Sequence, residues 1–484
     1  MKVPLKRAIT GSLAAVGSMA AAALAVSAAR FAPPVEEPRN PEPVDVDIDD
    51  VVDHLSQLVC CKTVSFLDHS LEDDAEFEKL VALLPELYPH VFGACTLTRM
   101  EGRALLFKWQ GRESNSPTVL MAHYDVVPAN AETWDHDPFC GEVFDGALWG
   151  RGTLDTKVTF NGALYAANTL IQQGFVPQHD VYFAFSGGEE VHGPGAPTIV
   201  DWFEEQGIEP ELVLDEGGGV ASGFIPGIER PFGMIGIAEK GFMDVCFEAT
   251  SNGGHASAPK PHSPIAVLAQ AVNSIEAHPM PMRLSDPVRE LLDTVGCHTS
   301  LVPRAIIANL DLFSPVIDLF TRTQGGNPNA AVRTTIAFTQ MEGSPAHNVI
   351  PPIASVVANI RVIPGDSIDG VLAYLKKTIN DDRVSIRLLE GNEPSRVSIT
   401  DCEGYRRIAR AVADTWTDCI VTPGLMMARS DSRHYGRISD RVYRFSAYDI
   451  TREEMSTIHG NNERIRLDAL RRSVEFFTRL LKQC

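Results

Sequence analysis

The chain has 484 residues, of which 44% are hydrophobic and 22% charged, and its formal net charge is −21. This length is more than one hydrophobic core usually serves, so two or three domains are expected. The excess of acidic residues argues against nucleic acid and anionic membrane surfaces as partners. The nine cysteines are scattered and form no C-x-x-C pair, which predicts free thiols rather than disulfides or a thiolate zinc site.

Residues 1–29 have the pattern of a targeting segment. Basic residues at the start of the chain precede an uncharged run from Ala8 to Ala29, and small residues at its end suit a signal peptidase. The run is also about long enough to span a bilayer, so a signal peptide or an N-terminal membrane anchor is predicted. Both alternatives predict export, with the body periplasmic, secreted or membrane-anchored and outside the cytoplasm. Residues 30–50, rich in proline and acids, are predicted to be a disordered linker.

From Val51 onward, strand patterns alternate with helical ones. Such alternation predicts an α/β fold with a mostly parallel sheet and helices on both faces. The helical segments are Glu78–Leu87, Thr156–Gln173 and Ile199–Gln206, and the strand segments are Ala104–Trp109, Thr118–Ala122, Val181–Phe185 and Leu212–Leu214.

The pattern changes near Ala238, and residues 238–390 are predicted to form an inserted α+β domain. The first domain, which begins with residues 51–237, resumes over residues 391–484. The inserted strands are Met243–Ala249, Thr334–Phe338, Ala354–Val362 and Val384–Leu388, with helices Pro264–Ala277 and Ile368–Ile379. The resumed part holds helix Cys402–Thr415, strand Ile420–Pro423 and helix Leu467–Leu481.

Residues with metal-binding side chains follow several of the predicted strands. An acidic doublet is usually solvated surface, but Glu189-Glu190 follows a strand and a glycine turn, which favours a site. Ligands bind at the carboxyl ends of strands in open α/β sheets. The candidates are His123-x-Asp125, Asp155 after Gly-Arg-Gly-Thr-Leu, Glu189-Glu190, Asp215-Glu216, and His459 in a turn before the last helix.

In order and spacing, these residues resemble the co-catalytic metal site of the M20 metallopeptidase family. That family includes carboxypeptidase S, aminoacylase-1 and the glutamate carboxypeptidases, and the resemblance covers nearly the whole chain after Val51. W-x-x-D-P-F at Trp134, GRGTLD, VLDEGG, RTT at Arg333 and IHGNNE resemble most closely the carboxypeptidase S and N-fatty-acyl-amino-acid hydrolase branch. The resemblance implies a dinuclear metal catalytic domain with an inserted, dimerisation-type lid domain.

The resemblance also implies a role for each candidate. Asp155 would bridge two metal ions, because a carboxylate can hold one cation with each oxygen. His123 and Asp215 would complete one metal site, and Glu190 and His459 the other. Nitrogen and carboxylate ligands without thiolates suit two zinc ions, although manganese or cobalt would also fit.

Two further residues have catalytic roles in this resemblance. Asp125 would accept a hydrogen bond from the second ring nitrogen of His123 and so orient the imidazole. Glu189 would be the general base that takes a proton from a metal-bridging water and passes it to the leaving amine. The spacing within the family favours Asp215 over Glu216 as a ligand, and both remain candidates.

The resemblance extends to three residues that would contact substrate. His255, in Gly-Gly-His-Ala-Ser-Ala-Pro, resembles the lid histidine that stabilises the tetrahedral oxyanion, often at the neighbouring subunit's active site. Asn348, in Asn-Val-Ile-Pro, resembles a lid asparagine that contacts substrate. Arg433 resembles the arginine that binds a substrate carboxylate through its planar guanidinium.

These residues predict a zinc-dependent hydrolase that cleaves an amide bond next to a free carboxylate, as a carboxypeptidase acting on short peptides does. The alternative is an N-acyl-amino-acid hydrolase, with fatty-acyl substrates included. A non-catalytic metal-binding relative is a remote alternative, because the ligand set and the base are all present. A homodimer through the lid domain would fit the resemblance. The apolar stretch Ala305–Phe320 favours a core or dimer contact over a lipid-binding wall.

Overall fold

The computed structural model describes residues 22–34, 38–223, 228 and 230–484. Most of the segment predicted to be a signal peptide or anchor therefore lies outside the described residues. Its described end is helical over residues 22–30. Among the residues that the structure describes, no helix is both long enough and apolar enough to cross a membrane.

The helices are numbered here from Ile48 onward. They are α1 (Ile48–Val59), α2 (Asp74–Leu87), α3 (Pro89–Ala94), α4 (Lys157–Gln172), α5 (Gly195–Gln206), α6 (Pro264–Ala277), α7 (Asp286–Gly296), α8 (Leu301–Ile307), α9 (Leu310–Gln324), α10 (Gly326–Ala331), α11 (Ile368–Ile379), α12 (Glu403–Thr415), α13 (Arg452–Met455) and α14 (Leu467–Leu481).

The strands of the amino-terminal half are β1 (Cys95–Met100), β2 (Ala104–Trp109), β3 (Glu113–His123), β4 (Val143–Phe144), β5 (Ala147–Trp149), β6 (His179–Ser186), β7 (Leu212–Asp215), β8 (Gly219–Ala221), β9 (Phe232–Glu239), β10 (Gly241–Thr250) and β11 (Gly254–His255). Those that follow are β12 (Thr335–Glu342), β13 (Val349–Ile350), β14 (Ile353–Val362), β15 (Val384–Asn392), β16 (Ile420–Met426), β17 (Val442–Arg444), β18 (Asp449–Ile450) and β19 (Arg464–Arg466).

The main sheet has the strand order β1-β2-β6-β3-β7-β17-β9-β8-β18, and β16 pairs with β9. Its central strands β6, β3, β7 and β17 are parallel to one another. Successive residues of β3 point to opposite faces: Leu120 packs into a core with α4 and α14, and Val119 into a core with α5. Both faces are thus covered by helices, which explains why the buried parts of these strands, residues 119–122 in β3 and 181–185 in β6, are continuous apolar runs. The predicted fold class is confirmed.

The inserted domain contains a second sheet, with the antiparallel order β12-β14-β10-β15. Helices α6 and α11 pack on it and form a separate apolar core. The sequence predicts an insertion over residues 238–390, and these four strands lie between Gly241 and Asn392. We call this sheet, its two helices and the two-stranded ribbon β11-β13 the lid.

Helix α7 lies within the predicted insertion but packs against β9 and β16 of the main sheet. Val295 of α7 shares a small apolar core with Phe232 and Ile420 of those strands. Helices α8 and α9 follow and contain the predicted apolar stretch Ala305–Phe320. Four of its side chains are not core, because Leu312, Val316, Leu319 and Phe320 are exposed by 68%, 59%, 64% and 54%. The alternative of a dimer contact stays a prediction.

The segment before α1 has no regular secondary structure over residues 38–47, yet it is attached to the body. The Arg471 guanidinium donates to the main-chain oxygen of Val46 at 3.0 Å, and Arg479 to that of Glu42 at 2.9 Å. The composition predicts a disordered spacer, whereas these contacts hold its second half against α14. The nine cysteines are free thiols, as the sequence predicts.

Candidate active site

The candidate site lies where the parallel strands of the main sheet end. His123 is the last residue of β3 and is in register with Ser186, the last residue of β6. Asp215 ends β7, which pairs with the other edge of β3. The carboxyl ends of these three strands therefore bring their terminal residues together at one edge of the sheet.

Two more segments reach this edge through a small separate sheet, β19-β5-β4. Strand β5 precedes the Gly-Arg-Gly-Thr-Leu-Asp loop, and β19 follows the turn that contains His459. In that loop Gly152 has φ +88°, and a Cβ there would lie 2.7 Å from Val126 Cγ1, so glycine is required. The pairing of β5 with β19 brings Asp155 and His459 to the same place although they are distant in sequence.

The side chain of Asp155 lies between the two histidines. Its Oδ1 is 3.0 Å from Nε2 of His123, and its Oδ2 is 3.0 Å from Nε2 of His459. His459 Nε2 is also 3.0 Å from Oε2 of Glu190. These contacts bring His123, Asp155, Glu190 and His459 together, as predicted from the sequence. We call these side chains the carboxylate cluster.

Asp215 and Glu216 point to different places. The Glu216 carboxylate lies 3.3 Å from His123 Nε2, measured to Oε1. The Asp215 carboxylate instead accepts a hydrogen bond from the main-chain N–H of Ser432 at 2.9 Å. The structure therefore brings Glu216 into the cluster and leaves Asp215 behind it, which departs from the sequence interpretation that favoured Asp215.

Asp125 is completely buried, and its carboxylate supports the glutamate doublet. The main-chain N–H of Glu189 donates to Oδ1 at 3.1 Å, and that of Glu190 to Oδ2 at 3.2 Å. Ser65 Oγ donates to Oδ2 at 2.5 Å. The His123 Nδ1 atom lies 3.0 Å from the main-chain oxygen of Asp125 and 3.4 Å from its carboxylate. The nearer acceptor for the imidazole is therefore the backbone, and the carboxylate mainly holds the turn that carries Glu189.

Burial and mutual contacts shift the protonation of these groups. Burial raises the pKa of Glu189 well above its ordinary value and that of Glu216 to about 8. Asp155 is also buried, but its hydrogen bonds with the two histidines outweigh burial and lower its pKa. Hydrogen bonds with Asp155 and Glu190 raise the pKa of His459 to about 10. So many perturbed groups in one cluster are typical of a functional site.

The donor set fits divalent cations. Potential ligand atoms of His123, Asp155 and Glu190 lie within 4.8 Å of one another, and so do those of His123, Glu189 and Glu216. The Glu190 Oε1 atom is buried and has no hydrogen-bond partner. Buried carboxylates that outnumber the nearby cationic side chains are stable only when a cation or a proton neutralises them. Imidazole and carboxylate donors without thiolates suit zinc, and His123 belongs to both groups.

His255 and Asn348 lie together on an exposed ribbon of the lid. Strands β11 and β13 pair there, with His255 opposite Val349, and the main-chain N–H of Ala256 donates to the main-chain oxygen of Asn348 at 3.0 Å. The His255 ring contacts Ser257, whose Oγ lies 2.7 Å from Nδ1. The contacts described for both residues are within the lid, so the structure brings these two predicted substrate residues to each other and not to the carboxylate cluster.

Comparison with known proteins agrees with this geometry. Residues 119–483 match the model of peptidase family M20/M25/M40. The chain belongs to this family. It is therefore a hydrolytic enzyme of the M20 type, and the family resemblance inferred from the sequence is confirmed.

Curated M20 relatives match most of the chain. It is 35% identical over 441 residues to "Probable carboxypeptidase S-like 2" of Dictyostelium discoideum, covering 90% of this chain and 85% of that one. It is 34% identical over 438 residues to "N-fatty-acyl-amino acid synthase/hydrolase PM20D1" of Xenopus tropicalis, covering 89% and 85%. Both branches named by the resemblance are thus represented.

Solved structures share the fold. The metallo-carboxypeptidase Sso-CP2 of Sulfolobus solfataricus has a TM-score of 0.63 at 17% identity, covering 91% of this chain and 99% of that one. Human carnosine dipeptidase 1 has a TM-score of 0.61 at 14% identity, covering 92% and 99%. This likeness shows the fold alone.

This M20 site also has a group of three arginines, of which only Arg433 is predicted from the sequence. Phe242 of β10 lies between Arg361 of β14 and Asn392 of β15 in the strand register. The Arg429 guanidinium stacks on the Phe242 ring, 3.9 Å from its centroid, and donates to Asn392 Oδ1 at 3.2 Å. It also contacts His192, three positions from Glu189 in sequence. We call Arg361, Arg429 and Arg433 the arginine group.

The arginine group has few acidic partners. Arg433 donates to the main-chain oxygen of Ser430 at 2.6 Å and lies 3.8 Å from Asp431. Among the described residues, no carboxylate lies within ion-pair distance of Arg361 or Arg429. Burial and the charges of Arg433 and Arg361 lower the pKa of Arg429 to about 10. Only Arg433 was detectable from the sequence, through its Ser-Asp-Ser-Arg motif, because isolated arginines carry no spacing signal.

Proposed function

We propose that this M20 enzyme hydrolyses an amide bond next to a free carboxylate, with Glu189 as the general base. The observation that carries the proposal is the different surroundings of two adjacent glutamates. Glu190 faces His459, whereas the Glu189 carboxylate has no hydrogen-bond donor among the described residues and its main chain is held by Asp125. One carboxylate is thus available for ligation and the other for proton transfer.

We propose two zinc ions as the metals, held by His123, Asp155, Glu190, His459 and Glu216. When bound, such ions polarise a carbonyl and lower the pKa of a bound water. Glu189 then takes the proton of the attacking water and delivers it to the amine nitrogen as the amide bond breaks. Burial raises the pKa of Glu189, which supports this role because a carboxylate with a raised pKa accepts a proton from water more readily.

The substrate carboxylate is proposed to bind the arginine group. A planar guanidinium can donate two parallel hydrogen bonds to a carboxylate. In the described part of the chain, Arg361 and Arg429 have no acidic ion-pair partner that would compete. Fixing the carboxylate there would place the neighbouring amide beside Glu189, whose charge acts on Arg429. Orienting the substrate in this way contributes to the rate by itself.

Two substrate classes fit this proposal. A carboxypeptidase acting on short peptides is supported by the carboxypeptidase S-like relative, and an N-acyl-amino-acid hydrolase by the relatives named N-fatty-acyl-amino acid synthase/hydrolase. The test is to assay the zinc-loaded enzyme against Gly-X dipeptides and against N-acyl amino acids of increasing chain length. Hydrolysis of either series, abolished by a chelator and restored by zinc, supports the proposal. Absence of hydrolysis in both series contradicts it.

His255 is proposed to stabilise the oxyanion from the lid of a partner subunit. Its exposed ribbon and its separation from the carboxylate cluster support action across a dimer interface. The test is to mix the inactive variants His255→Ala and Glu189→Gln under exchanging conditions. Activity that returns on mixing supports action in trans, whereas a mixture that stays inactive while exchanging subunits contradicts it.

The predicted export of the chain also remains a proposal. It is supported by the uncharged run from Ala8 to Ala29, which follows basic residues. Fractionation of cells that express the full chain, followed by amino-terminal sequencing of the protein, separates a cleaved signal from an anchor. Recovery of the uncleaved chain in the cytoplasm would contradict both.

A further inference from the structure

Glu463 joins the loop that carries Asp155 to the turn that carries His459. Its Oε1 atom accepts hydrogen bonds from three main-chain N–H groups of that loop. These are the N–H groups of Gly152 at 3.1 Å, Leu154 at 2.7 Å and Asp155 at 3.2 Å. In return, the main-chain N–H of Gly150 donates to the main-chain oxygen of Glu463 at 3.0 Å.

The second carboxylate oxygen of Glu463 accepts a hydrogen bond from an arginine of the same loop. Arg151 Nη1 donates to Oε2 at 2.6 Å, and Arg151 Nη2 donates to the main-chain oxygen of Gly460 at 2.8 Å. Glu463 is 0% exposed and Arg151 2% exposed. Both carboxylate oxygens of Glu463 therefore accept hydrogen bonds from the Asp155 loop.

The bonds of this pair end next to two residues of the carboxylate cluster. One bond ends on the main-chain N–H of Asp155, and another on Gly460, which follows His459 directly. Neither Asp155 nor His459 lies in a helix or a strand, and His459 has the left-handed φ of +58° that non-glycine residues rarely adopt. Backbone of this kind needs external hydrogen bonds to keep one conformation.

We propose that Glu463 and Arg151 are positioning residues that hold Asp155 and His459 where both can bind the same metal ion. The proposal rests on the metal site proposed above. A carboxylate that accepts three N–H bonds and one guanidinium bond fixes the distance between the two segments. The separation of Asp155 Oδ2 from His459 Nε2, at 3.0 Å, then follows from Glu463 rather than from either residue's own backbone.

The test measures zinc binding rather than activity. The variants are Glu463→Gln, which keeps one acceptor oxygen but removes the charge, and Arg151→Gln, which leaves the three N–H bonds intact. Glu454→Gln is the matched control. Glu454 is a buried glutamate of the preceding helix α13, and its bonds to Arg466 Nε at 2.9 Å and to the N–H of Thr451 at 2.8 Å do not involve the Asp155 loop.

Zinc per chain is measured after dialysis, and zinc affinity by competition with a chelating dye. We expect Glu463→Gln to bind one of the two zinc ions about 10- to 100-fold more weakly, as loss of groups that support metal ligands usually does. Arg151→Gln should weaken the binding of the same zinc ion by a smaller factor. Glu454→Gln should keep both zinc ions within about twofold of the original affinity, even if it lowers the melting temperature.

A folded Glu463→Gln variant with unchanged zinc stoichiometry and affinity would overturn the proposal. Equal weakening in Glu454→Gln would also overturn it, because the effect would then be general destabilisation. If Glu463→Gln is insoluble, the result for Arg151→Gln decides in the same way. An enzyme that cleaves no amide would contradict the proposed substrate while leaving these zinc measurements intact, so the two failures can be told apart.

Discussion

Glu216 Oε1 lies 3.3 Å from Nε2 of His123, although Glu216 follows the end of its strand and its neighbour Asp215 is the strand's last residue. The side chains of Asp215 and Val213 point to the same side of the strand, and Val213 packs there toward α5 and Tyr435. On that side, Asp215 accepts a hydrogen bond from Ser432. The side chain one position later points elsewhere, because successive residues of a strand face opposite sides. This geometry favours Glu216 over Asp215 as the proposed ligand at this strand end.

A ligand role for Glu216 predicts that Glu216→Gln and Asp215→Asn have different effects on the amount of bound zinc. Glu216→Gln should lower the zinc content from about two ions per chain toward one, because an amide is a much weaker zinc ligand than a carboxylate. Asp215→Asn should keep both ions, since its carboxylate accepts its hydrogen bond from a main-chain N–H. Zinc per chain, measured by atomic emission, decides between them. The reverse pattern would restore Asp215 as the ligand.

A second prediction concerns the general base. Glu189→Gln should lower kcat by about 100- to 10,000-fold, the usual contribution of a positioned acid–base group, and should leave bound zinc unchanged. Glu190→Gln is the matched control, and it should lose zinc because Glu190 Oε2 lies 3.0 Å from His459. Steady-state kinetics and metal analysis of the two variants are compared. Full activity of Glu189→Gln would rule out this residue as the base.

A third prediction concerns the arginine group. Arg361→Met should lower kcat/KM by about 10- to 100-fold, equivalent to the loss of a charge-assisted hydrogen bond to the substrate carboxylate. The same variant should hardly affect a substrate whose carboxylate is replaced by a methyl amide. Arg437→Met is the control, because that exposed arginine pairs with Asp201 at 2.8 Å. An equal decrease in kcat/KM on both substrates would show that Arg361 does not bind the substrate carboxylate.

A fourth prediction concerns Lys240, which lies between β9 and β10 at the start of the lid. It is buried, and its Nζ donates to the main-chain oxygens of Ala330 at 3.0 Å and Arg333 at 2.9 Å. Burial lowers the pKa of Lys240 to about 8, whereas an unfolded lysine has a pKa of about 10.4. Between these values the unfolded chain binds more protons than the folded one, so the free energy of unfolding rises with pH.

This pH effect can be isolated with Lys240→Met. The free energy of unfolding of the original protein, relative to that of the variant, should rise by up to about 1.4 kcal/mol per pH unit between about pH 8 and pH 10. Below about pH 7 the difference should be constant, because both states then carry the proton. Urea denaturation across this pH range provides the measurement, with the exposed Lys376→Met as a control. A pH-independent difference for Lys240→Met would contradict the lowered pKa.

Much of the fold was predictable because the elements have regular periods. Helices Pro264–Ala277, Ile368–Ile379 and Leu467–Leu481 have the bounds that their apolar spacing predicts. The apolar runs of β3 and β6 predicted buried parallel strands, since both faces of such strands are covered. In contrast, the stretch Ala305–Phe320 in α8 and α9 is as apolar as a core helix, yet the apolar side chains on one side of α9 are exposed. Composition alone does not say which helix face meets another element.

The sequence by itself determined which candidate ligand residues occur and in what order along the chain, and it placed His123, Glu190 and Asp215 at or just after the ends of buried strands. The carboxyl ends of parallel strands meet at one edge of a sheet, so these three were expected to lie close together. Only the tertiary structure distinguished Glu216 from Asp215, because one position along a backbone changes the direction of a side chain. It also revealed Arg361, Arg429 and the buried pair of Arg151 and Glu463. These residues come together from separate segments, and contacts between distant segments leave no local pattern in a single sequence.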